Sequence, residues 1–292
     1  MLTKIVLMIL GILVAIFAVF FIKDFIKSSR EGTLGEGSFV TAGVSGFVVN
    51  FFDTLGIGAF APLTALLKGF KITRDKLIPG TLNVACTIPV AVEAFIFIDS
   101  IEVEPITLIS MIAAASLGAI LGAGFVSKLD EKKIQITMAV ALLIVAVIML
   151  ISQLGLMPLG GNEVGLSGAK LVIAIVGNFI LGTLMTVGIG LYAPCMALVY
   201  ALGLSPKIAF PIMMGSCAFL MPSASIKFVK EKSYDTKASM AVTIFGVIGV
   251  FIAAYLVKEL PLEVLKWLVI LVVLYTALSM FKSLKSKRAG KA

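Results

Sequence analysis

Two stretches decide the fold: Thr54-Leu55-Gly56-Ile57-Gly58-Ala59-Phe60-Ala61-Pro62 and Thr186-Val187-Gly188-Ile189-Gly190-Leu191-Tyr192-Ala193-Pro194. They align without a gap when the chain is slid along itself by 132 residues. The same shift sets Pro79 on Pro211 and Thr73 opposite Ser205, each hydroxyl a candidate N-cap for the helix that follows. Each stretch interrupts a long apolar run, 39–67 in the first half and 166–202 in the second. Matching breaks at matching positions mark an internal duplication.

The surrounding composition sets the solvent. Of 292 residues, 60% are hydrophobic and 14% charged, and the mean hydropathy is +1.14, too apolar for a globule bathed in water. The pattern predicts an all-α polytopic membrane protein. Ordinary spans are expected at 5–21, 77–98, 106–126, 134–156, 209–226, 239–257 and 264–281. The first has no small-residue cleavage site after it and reads as a retained helix. Histidine is absent, which removes histidine-ligated metals and imidazole-based catalysis. Cys86, Cys195 and Cys217 lie in apolar stretches and read as buried packing residues rather than a disulfide framework.

The net charge of +8 is distributed as a membrane topology rather than as a nucleic-acid surface. Positive-inside logic places Lys68, Lys71, Arg74 and Lys76 in the cytoplasm, and the next loop, with Asp99, Glu102 and Glu104, outside. Carried along the chain, this leaves only Lys4, Lys170, Lys207, Lys258 and Lys266 of the 24 basic residues outside and makes the C-terminus cytoplasmic. The assignment requires each broken stretch to return to the side it entered. Each half-helix, at about 14 or 15 residues and roughly 22 Å, is shorter than the ~30 Å hydrocarbon layer, so re-entrant hairpins are expected.

A returning hairpin plus three crossings makes an odd unit, so the two units are expected to be inverted. The expected domains are an N-terminal helix and cytoplasmic linker (1–38), repeat 1 (39–156), and repeat 2 with a basic tail (157–292). Inverted repeats with broken helices are the plan of secondary transporters. An anion channel shares that plan. A membrane-embedded enzyme is disfavoured, because no carboxylate pair or nucleophile with a base is expected at the motif.

The glycines predict half-helices beginning at Gly58 or Ala59 and at Gly190 or Leu191, with backbone amides turned toward the membrane midplane as an anion cradle. Gly56 and Gly188 allow close backbone approach, and Thr54 and Thr186 are positioned to help bind. Asn83 and Ser216, on the spans after each hairpin, are expected to line the cavity. Asp53, whose repeat counterpart is Met185, is a candidate carrier of a coupling proton or a helix cap. Glu93, about 24 Å along its helix from Leu77, is expected in the external vestibule. No metal or cofactor is expected. The expected partners are a small anion and the lipid bilayer of the cell membrane, and no nucleic acid. The small-residue run Gly118, Gly122 and Gly124 suits packing within the chain or between copies in a homo-oligomer.

On Gly56-Ile57-Gly58 with Pro62 and Gly188-Ile189-Gly190 with Pro194, the chain resembles the TauE/SafE sulfite exporter (TSUP) family, whose halves each open with a glycine-rich segment and a proline. The resemblance runs from Val40 to Phe281. Family segments usually carry more consecutive glycines and a longer gap to proline, where this chain has Ala59-Phe60 and Leu191-Tyr192. The resemblance implies movement of small anions such as sulfite, sulfonates or related organic acids.

Overall fold

The computed structural model describes residues 2–98, 103–157 and 160–256, with 267, 270, 271, 273–279, 281 and 282. Among these the chain is helical and carries no strand, only an isolated bridge between Glu163 and Leu204. The helices are α1 (Leu2–Arg30), α2 (Phe39–Thr54), α3 (Phe60–Gly69), α4 (Ile78–Phe97), α5 (Pro105–Val126), α6 (Glu131–Gln153), α7 (Gly168–Met185), α8 (Tyr192–Ala201), α9 (Pro206–Lys230) and α10 (Thr236–Leu256). Seven of the described helices are long and apolar enough to cross a membrane. Six of them are α1, α4, α5, α6, α9 and α10, as the apolar runs predicted. The seventh is α7, and the expected span at 264–281 is only partly described, its described residues being helical.

Side-chain and backbone hydrogen bonds start these helices. Ser38 accepts from the Thr41 amide, Asp130 from Lys133 and Asp235 from Ala238. Glu104 takes the Ile106 and Thr107 amides and the Thr107 hydroxyl, and the Thr107 bonds hold its carboxyl below the usual carboxylate range. Ser205 stands at the N-cap of α9 but makes no side-chain cap bond. Thr73 does not cap α4, because a 3-10 turn over Asp75–Leu77 intervenes and Leu77 takes that position.

The broken stretches differ from expectation in their proportions. α2 has 16 residues and α3 has 10, while α7 has 18 and α8 has 10. The cause is the glycine cap. The Gly56 amide bonds to the Asp53 carbonyl and the Ile57 amide to Phe52, and one repeat later Gly188 bonds to Met185 and Ile189 to Leu184. Gly56 and Gly188 hold φ of 90° and 109°, so each first helix runs on until a glycine can turn left-handed, past the middle of the apolar run.

The packing follows the duplication. α2 lies chiefly on α10 and α7 on α5; α4 packs on α9 and α10, and α9 also packs on α5. Each partnership crosses between the halves. Glycines set the closest approaches: a Cβ at Gly46 would stand 2.5 Å from the Val242 Cα, one at Gly182 2.1 Å from the Ala115 carbonyl oxygen, and one at Gly118 2.1 Å from that of Phe179. Gly118 and Gly122 thus serve contacts within the chain. Polar side chains bind the same seams. The Ala85 carbonyl, which loses its helical donor to Pro89, accepts instead from the Thr243 hydroxyl at 2.8 Å. Asn178 donates to the Met111 carbonyl at 2.8 Å.

The loops gather at two ends. At one, Lys237 bonds to the Leu34 carbonyl, Gly37 lies against Ile72, and Ser233 bonds to Ser127, so the residues that open α2 meet those that close α3. At the other, Gly161 bonds to Leu204, Ser205 to Glu163, and Glu104 to Val164, so the residues that open α7 meet those that close α8. Large apolar side chains on the outer faces of α1, α5, α6 and α7 are exposed.

Gly182→Ala should lower the thermal midpoint of the purified protein, at a cost of about 1–3 kcal/mol for forcing α5 and α7 apart. Gly69→Ala, where an added Cβ meets nothing, should leave it unchanged.

Candidate functional site

The two glycine turns meet inside the bundle. A cavity between them is lined by Asp53, Ile57 to Ala61, Gly190 to Ala193, Met185, Val90, Val145, Met149 and Cys217. A Cβ at Gly190 would lie 3.6 Å from the Phe60 Cβ, so the tips are neighbours. The space open to water centres is about 30 Å³, room for about two waters and a fit for small ligands only. A second recess, lined by Gly56, Ile57, Met149, Ser152, Gln153, Met157, Ala193 and Met196, shares Ile57, Met149 and Ala193 with the cavity. It lies toward the Gln153 end of α6.

The electrostatics come from backbone and acid. α3 and α8 begin after Ala59 and Leu191, both in helical conformation and without side-chain caps. Their first-turn amides have no partner within the helix, and those of Phe60, Ala61, Tyr192 and Ala193 belong to residues that line the cavity. Pro62 and Pro194 fall in the same first turns, where a missing N–H costs little. Two helix starts together amount to about one positive charge. No lysine or arginine lines the cavity among the described residues. Asp53 is buried and lines the cavity, with the Ala59 amide as a hydrogen-bonding neighbour.

Glu93 corrects the vestibule expectation. It is fully buried, with Oε1 2.9 Å from the Thr54 hydroxyl and Oε2 accepting from the Tyr192 hydroxyl at 2.9 Å. A second carboxyl therefore does stand at the motif, contrary to the sequence reading. The signal was present in helix rise: Phe39 to Thr54 and Ile78 to Glu93 are equal lengths of helix, starting at the same end. Tyr192 was overlooked for the same reason, since its partner was thought to be elsewhere.

Of the other predicted residues, Gly58, Ala59, Gly190 and Leu191 line the cavity, and Thr54 reaches Glu93 beside it. Gly56 shapes the turn and faces the adjoining recess. Gly188 forms the second turn, packed near Met138 and Leu82. Thr186 donates to the Thr183 carbonyl at 2.7 Å, Asn83 to the Pro79 carbonyl at 2.9 Å, and Ser216 pairs with Asn178 at 2.8 Å. These three are not among the cavity-lining residues. Cys86, Cys195 and Cys217 are buried and free, and Cys217 lines the cavity 3.7 Å from the Met185 sulfur.

A model for the family described as Sulfite exporter TauE/SafE matches residues 1–149 and 170–292. The chain belongs to the TauE/SafE family. No match arises among curated proteins or solved structures. With its seven apolar helices, this TauE/SafE protein is a multi-pass membrane protein. The matched residues include both glycine turns and every cavity-lining residue.

The glycines divide by conformation. Gly58 has φ of 89° with nothing near an added Cβ, whereas Gly190 is not left-handed. Gly58→Ala should cost about 1–2 kcal/mol in backbone strain alone. Gly190→Ala should be tolerated, and thermal denaturation of the two variants side by side checks the difference.

Proposed function

We propose that the protein is a secondary carrier of a small anion across the cell membrane, working by alternating exposure of the cavity between Gly56–Pro62 and Gly188–Pro194. The observation that carries this reading is that the first turns of α3 and α8 border one cavity. Such starts attract negative charge without the strong, slow-releasing grip of an arginine clamp. The cavity's size suits sulfite or a comparably small sulfur or organic anion. A site that must release its ligand on the other side benefits from shared backbone dipoles.

The reading takes the units as inverted repeats, supported by the exchanged helix partners and by hairpin mouths gathered at different ends. It takes the end holding Lys68, Lys71, Arg74, Lys128 and Lys232 as cytoplasmic, by the positive-inside rule, with the C-terminus on the same side. The recess beside Met149 and Gln153 then leads outward.

Transport is coupled to protons through Asp53. An anion about 4 Å from a carboxylate is repelled by roughly 4 kcal/mol at an effective dielectric constant of 20, comparable to what the two helix starts supply. A protonated Asp53 removes that repulsion, so the anion enters with a proton.

Liposomes holding the protein should take up labelled sulfite and exchange it in counterflow. Replacing Gly58 and Gly190 together by leucine should abolish both, and undiminished flux would refute the site. Asp53→Asn should keep counterflow but lose stimulation by an inward-directed proton gradient. Full retention of that stimulation would make Asp53 structural.

A further inference from the structure

Glu93 belongs to neither glycine motif, yet it touches both. From α4 it reaches Thr54, the last residue of α2, and Tyr192, the first residue of α8. It is fully buried, while Thr54 and Tyr192 are 4% and 5% exposed. The titratable groups that face it are Asp53 from α2, Tyr192 from α8, Cys86 from its own helix and Cys217 from α9. None of them is a cation. A carboxylate left in such a place would be an uncompensated buried charge.

Counting hydrogens gives the same answer from geometry. The Thr54 oxygen lies 2.8 Å from the Asn50 carbonyl oxygen and 2.9 Å from Glu93 Oε1. A threonine hydroxyl has one hydrogen, and a backbone carbonyl can only accept. Both short contacts are full hydrogen bonds only if Thr54 donates to Asn50 and Glu93 donates from Oε1 to Thr54. Tyr192 then donates to Oε2, which leaves no group in the cluster without its partner.

We propose that Glu93 is a second proton-binding site, one that holds the two glycine motifs together when protonated and passes its proton to the cavity when they separate. The proposal rests on the carrier reading and assigns it a proton store. Exposing the cavity to the opposite side moves α8 relative to α2, and the Tyr192–Glu93 bond spans that boundary. In the transfer the Oε1–H bond of Glu93 breaks and the proton joins the Asp53 carboxylate or a cavity water. Glu93 is left as a carboxylate accepting from the Thr54 hydroxyl, with cavity water in place of the Tyr192 hydroxyl that has moved away with α8. Asp53, which lines the cavity, is the exit; Glu93, which does not, is the reserve.

Two measurements on the full-length protein test this. Infrared difference spectra of the protein in lipid, followed over pH, should show a protonated-carboxyl band that Glu93→Gln removes and Asp53→Asn keeps. In proteoliposomes, one proton per anion lets a one-unit pH gradient sustain about tenfold accumulation of sulfite. Glu93→Gln should abolish that accumulation while counterflow continues, and Glu93→Asp should restore part of it. Accumulation that survives Glu93→Gln, or a carboxyl spectrum identical to that of the wild type, overturns the proposal. If the wild-type protein moves no anion, the carrier reading fails by itself, and the infrared band still decides whether Glu93 holds a proton.

Discussion

The structure depends on one constraint: a helix interrupted in an apolar medium leaves amides and carbonyls that lipid cannot satisfy. This chain interrupts a helix twice. At each break the carbonyl side is closed locally by the glycine cap, Gly56 and Ile57 bonding to Asp53 and Phe52, and Gly188 and Ile189 to Met185 and Leu184. The amide side is left open, because Ala59 and Leu191 offer no capping oxygen. The breaks are therefore one-sided and leave unpaired donors rather than unpaired acceptors. They must be surrounded by protein, and α4, α6 and α9 supply that wall through Val90, Val145, Met149 and Cys217.

Burying the breaks explains the packing around them. α2 and α7 each need a partner close enough to exclude lipid from the turn, and each finds it in the other half, on α10 and α5. Gly46 against Val242 and Gly182 against Ala115 bring the backbones together. Asn178 ties the α7–α5 seam by a hydrogen bond to a carbonyl of α5, and Thr243 ties α10 to α4 in the same way. Neither half could enclose its own turn with only its own helices.

The fold was legible because apolar length and glycine position are local properties. Six ordinary spans and both interruptions followed from them. The half-helix lengths did not, since equal halves follow from a break at the centre of each run, whereas the left-handed glycine that ends the first helix lies beyond that centre and the turn delays the second helix. For the site, the turn residues Gly58, Ala59, Gly190 and Leu191 were visible as a repeated pattern. Analogy between repeats points to Asn83, Thr186 and Ser216, but Asn83 and Thr186 bond to carbonyls one turn back in their own segments and Ser216 bonds to Asn178 of a neighbouring helix. Glu93 has no repeat counterpart of its kind, as Ser225 occupies that position, so a search guided by symmetry passes over it.

The asymmetry has a chemical meaning. Where one repeat carries Asp53 the other carries Met185, and where one carries Glu93 the other carries Ser225. In the proposed carrier the two helix starts would attract an anion alike, whereas the acids belong to the first repeat and Met185 and Cys217 to the second. A binding site used from both faces of a membrane needs symmetric attraction, so that neither exposure traps the ligand. Coupling needs the reverse, a titrating group whose state is felt in one arrangement of the halves more than in the other. In the proposed carrier, backbone dipoles from a duplicated motif would meet the first requirement. Side chains that differ between the copies, Glu93 bonded to both units above all, would meet the second in that carrier.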